Sequence, residues 1–341
     1  GSGLWLCVSE NRKASVQHRA SYADQLHWQC GRTVLPGLNN TKSVVSMLPS
    51  AHMYGLMFEL LYELSVGAHV HFLSRVPSPK IIMQAMSDVK PYLVIAVPLV
   101  IEKIYKSKVK PILEKEGVKV LMKLPVLSQM VMNKIKEELV NAFGGEFYQV
   151  IIGGAAFNKE VEAFFKKIGF PVTVGYGMTE CAPIITYDDW NVEKLYSCGK
   201  VAPNMEIRID SSDPINVPGE ILIKGANVFL GYFKNEEATQ AVFTEDGWFK
   251  TGDMGVIDED GCLFIKGRSK CMILGPSGQN IYPEEVETVI NSQPYVVDSL
   301  VVEDNGGLTA LIYPDFAQGA KDGMDQDTFI KYIEDTLPEL N

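Results

Sequence analysis

Four short segments of the chain combine glycines with groups that can hold a nucleotide. Gly153-Gly154-Ala155-Ala156 follows the apolar run Val150-Ile151-Ile152, and small residues at the end of a buried strand let a flat ligand approach the backbone. Gly175-Tyr176-Gly177-Met178-Thr179-Glu180 also follows a strand-like run. Its glycines free the backbone, Tyr176 offers a stacking face, Thr179 a hydroxyl for a phosphate oxygen and Glu180 a carboxylate for a divalent cation. Gly247-Trp248-Phe249-Lys250-Thr251-Gly252-Asp253 ends on an Asp able to accept two hydrogen bonds from a ribose diol. In Lys266-Gly267-Arg268-Ser269-Lys270, Arg268 stands fifteen residues further on and can reach the same sugar or its phosphate. Taken singly, each reads more simply as a tight turn or a surface Arg, and the Gly-x-Gly-x-x-Gly dinucleotide pattern is absent at residue 153.

Such segments need a scaffold that brings strand ends together. Val44–Leu48, Ala68–Leu73, Tyr92–Val97, Tyr148–Ile152 and Val172–Val174 read as buried strands, and residues 54–65, 79–89, 99–115, 128–143 and 157–167 have helical periodicity. The alternation predicts an α/β fold with a large, mostly parallel sheet. From about residue 196 the texture changes to brief strands (Glu206–Asp210, Glu220–Lys224, Cys262–Lys266) separated by Gly and Asp-Gly turns, which predicts a small β-rich subdomain. After Arg268 come the turn Gly275-Pro276-Ser277-Gly278, a helix opened by Pro283-Glu284-Glu285, strands near 296–303 and 308–313, and a helix at 325–336. Proline in a first turn gives up no hydrogen bond, and the acids face the positive end of the helix dipole. The expected domains are therefore 1–267, with the β-rich part at about 196–267, and a small α+β domain at 268–341.

With 341 residues, 46% of them hydrophobic and 21% charged, the chain has material for two domains and is not a disordered polymer. Residues 271–341 hold 13 Asp/Glu against 2 Lys, which accounts for the whole net charge of −11 and marks a compositional boundary. An acidic chain offers no general attraction to nucleic acid. Residues 101–138 carry nine Lys against five Glu among apolar residues at helical spacing, which reads as a solvated helix face, with an anionic ligand or membrane surface as the alternative. The six cysteines (7, 30, 181, 198, 262, 271) form neither a Cys-x-x-Cys pair nor a His/Cys cluster, so a reducing compartment is expected. The longest apolar run, Leu93 to Ile101 broken by Pro98, is under half the ~20 residues that span a bilayer. Leu4–Val8 lacks the basic front and cleavage site of a signal peptide, so a cytoplasmic location is expected.

Read together, the segments are far more specific. The order Gly-Gly-Ala, Gly-Tyr-Gly-Met-Thr-Glu, Gly219-Glu220, Trp-x-x-Thr-Gly-Asp, Gly-Arg-Ser-Lys and Asn-Ile-Tyr-Pro-Glu-Glu-Val-Glu resembles the adenylate-forming superfamily of acyl-CoA synthetases, luciferases and peptide-synthetase adenylation domains. Gly267–Glu287 and Leu48-Pro49-Ser50-Ala51-His52-Met53-Tyr54-Gly55 look most like bacterial long-chain fatty-acid–CoA ligases. The resemblance covers about residues 42–340.

The resemblance implies that Gly154 and Ala155 border the adenine, with Tyr176 stacking on it beside Gly177. Thr179 would touch the α-phosphate, Glu180 would hold Mg²⁺, and Asp253 and Arg268 would bind the ribose hydroxyls. Lys270 falls at the family's hinge between large and small domains, and the turn ending at Gly278 would share in that motion. His52 sits where the family shapes the acyl pocket near the reacting carboxylate, with a helix-start residue packed in the core as its plainer alternative; His69 and His71 read as surface or edge-strand residues. The implied substrates are a fatty acid, ATP (with AMP as product) and CoA, with no nucleic acid partner, no transmembrane segment and peripheral membrane contact left open.

Two departures stand out. The family's Gly/Ser/Thr-rich phosphate loop, ending in Lys, has only Ser9-Glu10-Asn11-Arg12-Lys13 as a remnant, and no lysine matches the family's adenylation Lys beyond the Leu337-Pro338 segment. The large domain therefore reads as incomplete and the small one as truncated, and the expectation is a long-chain fatty-acid–CoA ligase fragment that adenylates poorly. The alternatives are a ligase charging an acyl carrier protein, or an inactive nucleotide- or acyl-binding remnant.

Overall fold

The computed structural model describes residues 5–8, 15–18, 37–74, 78–203, 205–274, 280–291, 293, 295–304 and 307–336. Lys13 and Gly278, both named above, lie outside them. The chain separates into two compact units: Gly1–Asp210 with Ile221–Thr251 and Ile257–Phe264, and Ser211–Glu220 with Gly252–Val256 and Ile265–Asn341.

In the first unit, strands β1 (Trp5–Val8) and β2 (Ser15–His18) pair antiparallel. A five-stranded parallel sheet follows, formed by β3 (Ser43–Ser46), β4 (His69–Phe72), β5 (Leu93–Ala96), β6 (Gln149–Ile152) and β7 (Val172–Val174) in the order β4-β3-β5-β6-β7. Residues in β5 and β6 pair in step, Leu93 opposite Gln149 and Ala96 opposite Ile152, and both strands are wholly buried. Side chains alternate between two cores. Val94, Ala96, Val150 and Ile152 join one with the helices Pro79–Val89, Pro125–Ala142 and Lys159–Ile168, whereas Leu93, Ile95 and Ile151 join the other with Met53–Ser65. A parallel sheet covered on both faces reads as a near-continuous apolar run, as Leu93–Ala96 and Val150–Ile152 do. His69 and His71 are exposed on β4, the edge strand, as expected.

Local chemistry sets where the helices begin and end. Ser78 caps Pro79–Val89, accepting from the Ile81 N–H at 3.4 Å, and Pro79 occupies the first turn. Asn158 caps Lys159–Ile168 with hydrogen bonds from the Glu160 and Val161 N–H groups, and Gly169 ends that helix at φ +64°. Three helical expectations shift. The helix expected at 128–143 begins at Pro125, because proline is tolerated at a first turn. The patterns at 54–65 and 99–115 each contain a π-helical turn, at Met57–Leu61 and Tyr105–Val109; apolar spacing does not distinguish such a turn from regular helix.

Short strands follow: β8 (Tyr176–Gly177), β9 (Ile184–Tyr187) and β10 (Lys200–Val201) form an antiparallel sheet in the order β10-β9-β8. Next come β11 (Met205–Asp210), β12 (Gly219–Gly225), β13 (Gly231–Tyr232), β14 (Phe249–Ile257) and β15 (Leu263–Arg268). β13 adds to β2, and the other four form a sheet in the order β11-β12-β14-β15. A compact core of Cys181, Ile185, Ile221, Ile223, Phe229 and Phe249 fills this β-rich region.

The second unit contains the hairpin β16 (Ile273–Leu274) and β17 (Asn280–Ile281), the helix Pro283–Asn291, the antiparallel pair β18 (Val296–Asp304) and β19 (Gly307–Pro314), and the helices Phe316–Lys321 and Gln326–Thr336. Its small core joins Ile290, Val296 and Val301. Among the described residues no helix is long and apolar enough to cross a membrane.

Candidate active site

Within the first unit, three of the segments singled out from sequence follow the carboxyl ends of parallel strands: Leu48–His52 after β3, Gly153–Ala155 after β6, and Gly175–Glu180 after β7. Ligands of open α/β sheets collect at that end. Tyr54 ties the first segment to its neighbours, its hydroxyl donating to the Ile151 carbonyl at 3.1 Å in β6. His52 is the N-cap of Met53–Leu56, its Nδ1 accepting from the Tyr54 N–H at 3.2 Å, so it is a helix-start residue, though half-buried rather than packed in the core.

Gly153 is buried against the Tyr54 ring, where a first side-chain carbon would sit 3.2 Å from Cζ. Gly154, at φ +90°, and Ala155 are exposed. Tyr176 is buried, packed in the β-rich core with Cys181 and Ile185. Gly177 meets its neighbours most tightly: a side-chain carbon there would lie 2.8 Å from the Pro183 carbonyl carbon and 3.0 Å from Ile184 Cα, with the Pro183 oxygen closer still. Backbone atoms cannot swing aside as side-chain tips do, so Gly177→Ala is expected to lower stability by about 1–3 kcal/mol or more. Gly117, in the helix Glu116–Leu121 with open space around it, serves as the comparison, because Gly117→Ala should be neutral or stabilising. Urea denaturation of the two variants checks this, and equal midpoints would refute the close-approach account.

Glu180 follows in a single helical turn, Thr179–Cys181, with Thr179 partly exposed and Glu180 buried. Its Oε1 accepts from the Tyr232 hydroxyl at 3.0 Å, and its backbone carbonyl accepts from the Phe229 N–H at 2.8 Å. Asn227 braces the turn by donating from Nδ2 to the Cys181 and Ile184 carbonyls. Burial, then the charge of Glu180, raises the Tyr232 hydroxyl well above the ordinary tyrosine range, so it stays a donor. Oε2 of Glu180 makes no hydrogen bond among the described residues. No group of three or more His, Cys, Asp or Glu able to hold a metal occurs among them either. A lone carboxylate with an open oxygen suits Mg²⁺, which keeps waters and shares its remaining positions with substrate phosphates. Tyr232 was not legible as a partner: it stands 52 residues from Glu180 in a Gly-Tyr strand carrying no polar pattern.

In the second unit, Asp253 is buried and its Oδ1 lies 3.4 Å from Nε of Arg268. The Arg268 side chain is 62% exposed, so the pair contributes little to stability, yet it leaves the guanidinium reachable. Gly252 and Asp253 lie within β14 rather than in a turn, and Gly252 is held twice: its N–H donates to Glu220 Oε1 at 3.0 Å, and Ser269 Oγ donates to its carbonyl at 3.0 Å. Glu220 and Ser269 lay inside the recognised motifs without an assigned role. The Arg268 N–H donates to Glu284 Oε1, while Lys266 pairs with Glu285 at 3.2 Å. Lys270 is exposed in the short turn Ser269–Cys271.

Another carboxylate escaped sequence reading. Glu59 is fully buried, and its Oε2 accepts three hydrogen bonds, from Ser46 Oγ, the Met47 N–H and the Leu48 N–H at 2.8–3.1 Å. It thereby fixes the start of the segment that carries His52. Glu63, one turn on, is also fully buried, with neither carboxyl oxygen hydrogen-bonded among the described residues. Burial raises Glu59 to about 7 and Glu63 to about 9.

A family model described as AMP-binding enzyme matches residues 14–233. Long-chain-fatty-acid–CoA ligase FadD15 of Mycobacterium bovis is 31% identical over 249 residues, covering 66% of this chain and 40% of the relative. 4-Coumarate–CoA ligase-like 4 of Oryza sativa is 31% identical over 279 residues, covering 79% of this chain and 44% of the relative. The fold matches o-succinylbenzoate coenzyme A synthetase of Bacillus subtilis, solved with ATP and magnesium ion, with a TM-score of 0.71 and 24% identity over 96% of this chain and 64% of that one. The chain thus spans less than half the length of these two sequence relatives.

Proposed function

This chain belongs to the AMP-binding enzyme family, and from that membership we propose that it serves an ATP-dependent acid–CoA ligase acting on long-chain fatty acids. A substrate carboxylate oxygen attacks the α-phosphorus of ATP, giving acyl-AMP and pyrophosphate. A CoA thiol then attacks the mixed anhydride, giving the thioester and AMP. The first step brings two anions together, so positioning and charge neutralisation supply most of the rate.

The buried Glu180 carboxylate, one oxygen held by Tyr232 and the other without a hydrogen bond among the described residues, is the observation that carries this reading. Mg²⁺ bound there would screen the phosphate oxygens. Thr179 would hold an α-phosphate oxygen, Gly154, Ala155, Tyr176 and Gly177 would receive the adenine, and His52 would border the reacting carboxylate. Asp253 would accept from the ribose diol with Arg268 beside it, and Lys270 would act as a hinge residue. In this proposal residues 268–341 form the small domain of the family.

The relatives' names cover fatty, 4-coumaric and succinylbenzoic acids, so the acid class is tested directly. Pyrophosphate release with palmitate, 4-coumarate and 2-succinylbenzoate should rank palmitate first, and preference for an aromatic acid would overturn the fatty-acid assignment. For the nucleotide, Asp253→Ala should weaken AMP binding about 10- to 100-fold, since a ribose diol without its acceptor loses ~1–3 kcal/mol. Calorimetric titration with AMP measures this, and unchanged affinity would remove Asp253 from the site.

A further inference from the structure

The turn between the helices Glu116–Leu121 and Pro125–Ala142 exposes aliphatic side chains in a lysine-rich setting. Val120 is 59% exposed, Leu124 53%, Val126 75% and Met130 63%. Val126 and Met130 are one helical turn apart, and at 100° per residue they point roughly opposite to Met132, Ile135 and Leu139, the residues this helix buries. From the third turn onward the same outward face carries Asn133, Lys134 and Glu137, all exposed. The helix is therefore apolar on both sides only over its first two turns, beside Leu124 and the end of the preceding helix.

The turn is braced rather than frayed: the Ser128 N–H donates to the Leu124 carbonyl at 2.8 Å and Ser128 Oγ to Met122 Sδ at 3.6 Å. Residues 101–130 hold seven Lys against three Glu in a chain of net charge −11. Glu114 and Glu116 are taken by Lys110 and Lys119, whereas Lys106, Lys108, Lys115 and Lys123 make no ion pair among the described residues.

We propose that this turn docks the protein on an anionic lipid bilayer, with Leu124, Val126 and Met130 entering the boundary between headgroups and acyl chains and Lys115 and Lys123 meeting lipid phosphates. Aliphatic side chains lacking a hydrogen-bonding pattern, flanked by cations on flexible stems, match that boundary: the side chains leave water while the ammonium groups stay at headgroup level. A second copy of the same face is disfavoured, because it would set lysine against lysine. Local charge decides the encounter, since charges beyond about 10 Å are screened at physiological salt. None of the residues assigned to nucleotide or acid takes part, so the surface stands or falls independently of the ligase reading.

Co-sedimentation of the full chain with phosphatidylcholine vesicles, with and without phosphatidylglycerol, is the test. Binding should require phosphatidylglycerol and weaken as NaCl rises. The variant Leu124→Ser/Val126→Ser/Met130→Ser and, separately, Lys115→Glu/Lys123→Glu should each reduce partitioning by roughly tenfold or more, with urea midpoints close to the parent's because every altered side chain is exposed. Equal binding to both vesicle types, no binding, or variants that bind like the parent would overturn the proposal. So would light scattering showing that the parent self-associates through this face while the serine variant stays monomeric and neither binds vesicles.

Discussion

Glu180→Gln is expected to cut acyl-adenylate formation by about 10²–10³-fold, the usual loss when a group that stabilises charge in a transition state is removed. Gln keeps the shape and can still accept from the Tyr232 hydroxyl, so the fold and the turn Thr179–Cys181 should persist. Only the negative charge goes, and with it the hold on Mg²⁺ that the proposed role requires. AMP affinity without metal should change little, whereas the Mg²⁺ concentration needed for half-maximal ATP–pyrophosphate exchange should rise. Tyr232→Phe is the comparison: it removes one neutral donor to a carboxylate that keeps its charge, so its effect should be far smaller. Exchange at the parent's rate in Glu180→Gln, with an unshifted Mg²⁺ dependence, would take the metal role away from this residue.

Glu63→Gln is expected to make the protein more stable at alkaline pH. Burial, with a smaller contribution from the charge of Glu59, holds the Glu63 carboxyl at about 9 against an ordinary value of 4.5. Below pH 4.5 both folded and unfolded chains carry the proton. Above it the unfolded chain releases its proton while the folded one retains it, so folding loses about 1.4 kcal/mol per pH unit until the folded group itself ionises near pH 9. Gln has no proton to lose. At pH 8 the variant should exceed the parent by about 3 kcal/mol or more, and the gap should close toward pH 5. Glu59 and Glu162, each raised to about 7, and Glu193, raised to about 8, act with the same sign, so a shallower decline should remain in the variant. Urea unfolding at pH 5, 6.5 and 8 measures the difference, and parallel pH profiles would show that Glu63 ionises as freely in the folded chain as in the unfolded one.

Glu59 and Glu63 mark the limit of what the sequence discloses. The strands of the parallel sheet were legible because runs such as Leu93-Val94-Ile95-Ala96 have few stable placements other than between two covered faces. The helix Pro79–Val89 was legible to the residue because Ser78 and Pro79 write its start. The glycine segments were legible as motifs, and the close backbone contact at Gly177 gives one of them a mechanical reason. Glu59 and Glu63 were not, since acids four residues apart on a helical pattern read as a solvent face. Only the tertiary structure shows Ser46, Met47 and Leu48 turning three donors toward Glu59. The partnership of Glu180 with Tyr232 was hidden for the same reason, because residues distant in sequence leave no periodic trace of their meeting.

The division of alternate side chains between two cores limits how the chain can vary. A strand with one wet side tolerates neutral drift on that side while the other stays fixed. Leu93–Ala96 and Gln149–Ile152 have no such spare side: odd and even positions answer to different helices, and both sets are enclosed. In the proposed ligase, evolutionary novelty, whether a changed acid preference or a changed acceptor, must therefore enter through the loops beyond the strand tips. The rigid interior supplies those loops with a stage that is itself almost closed to revision.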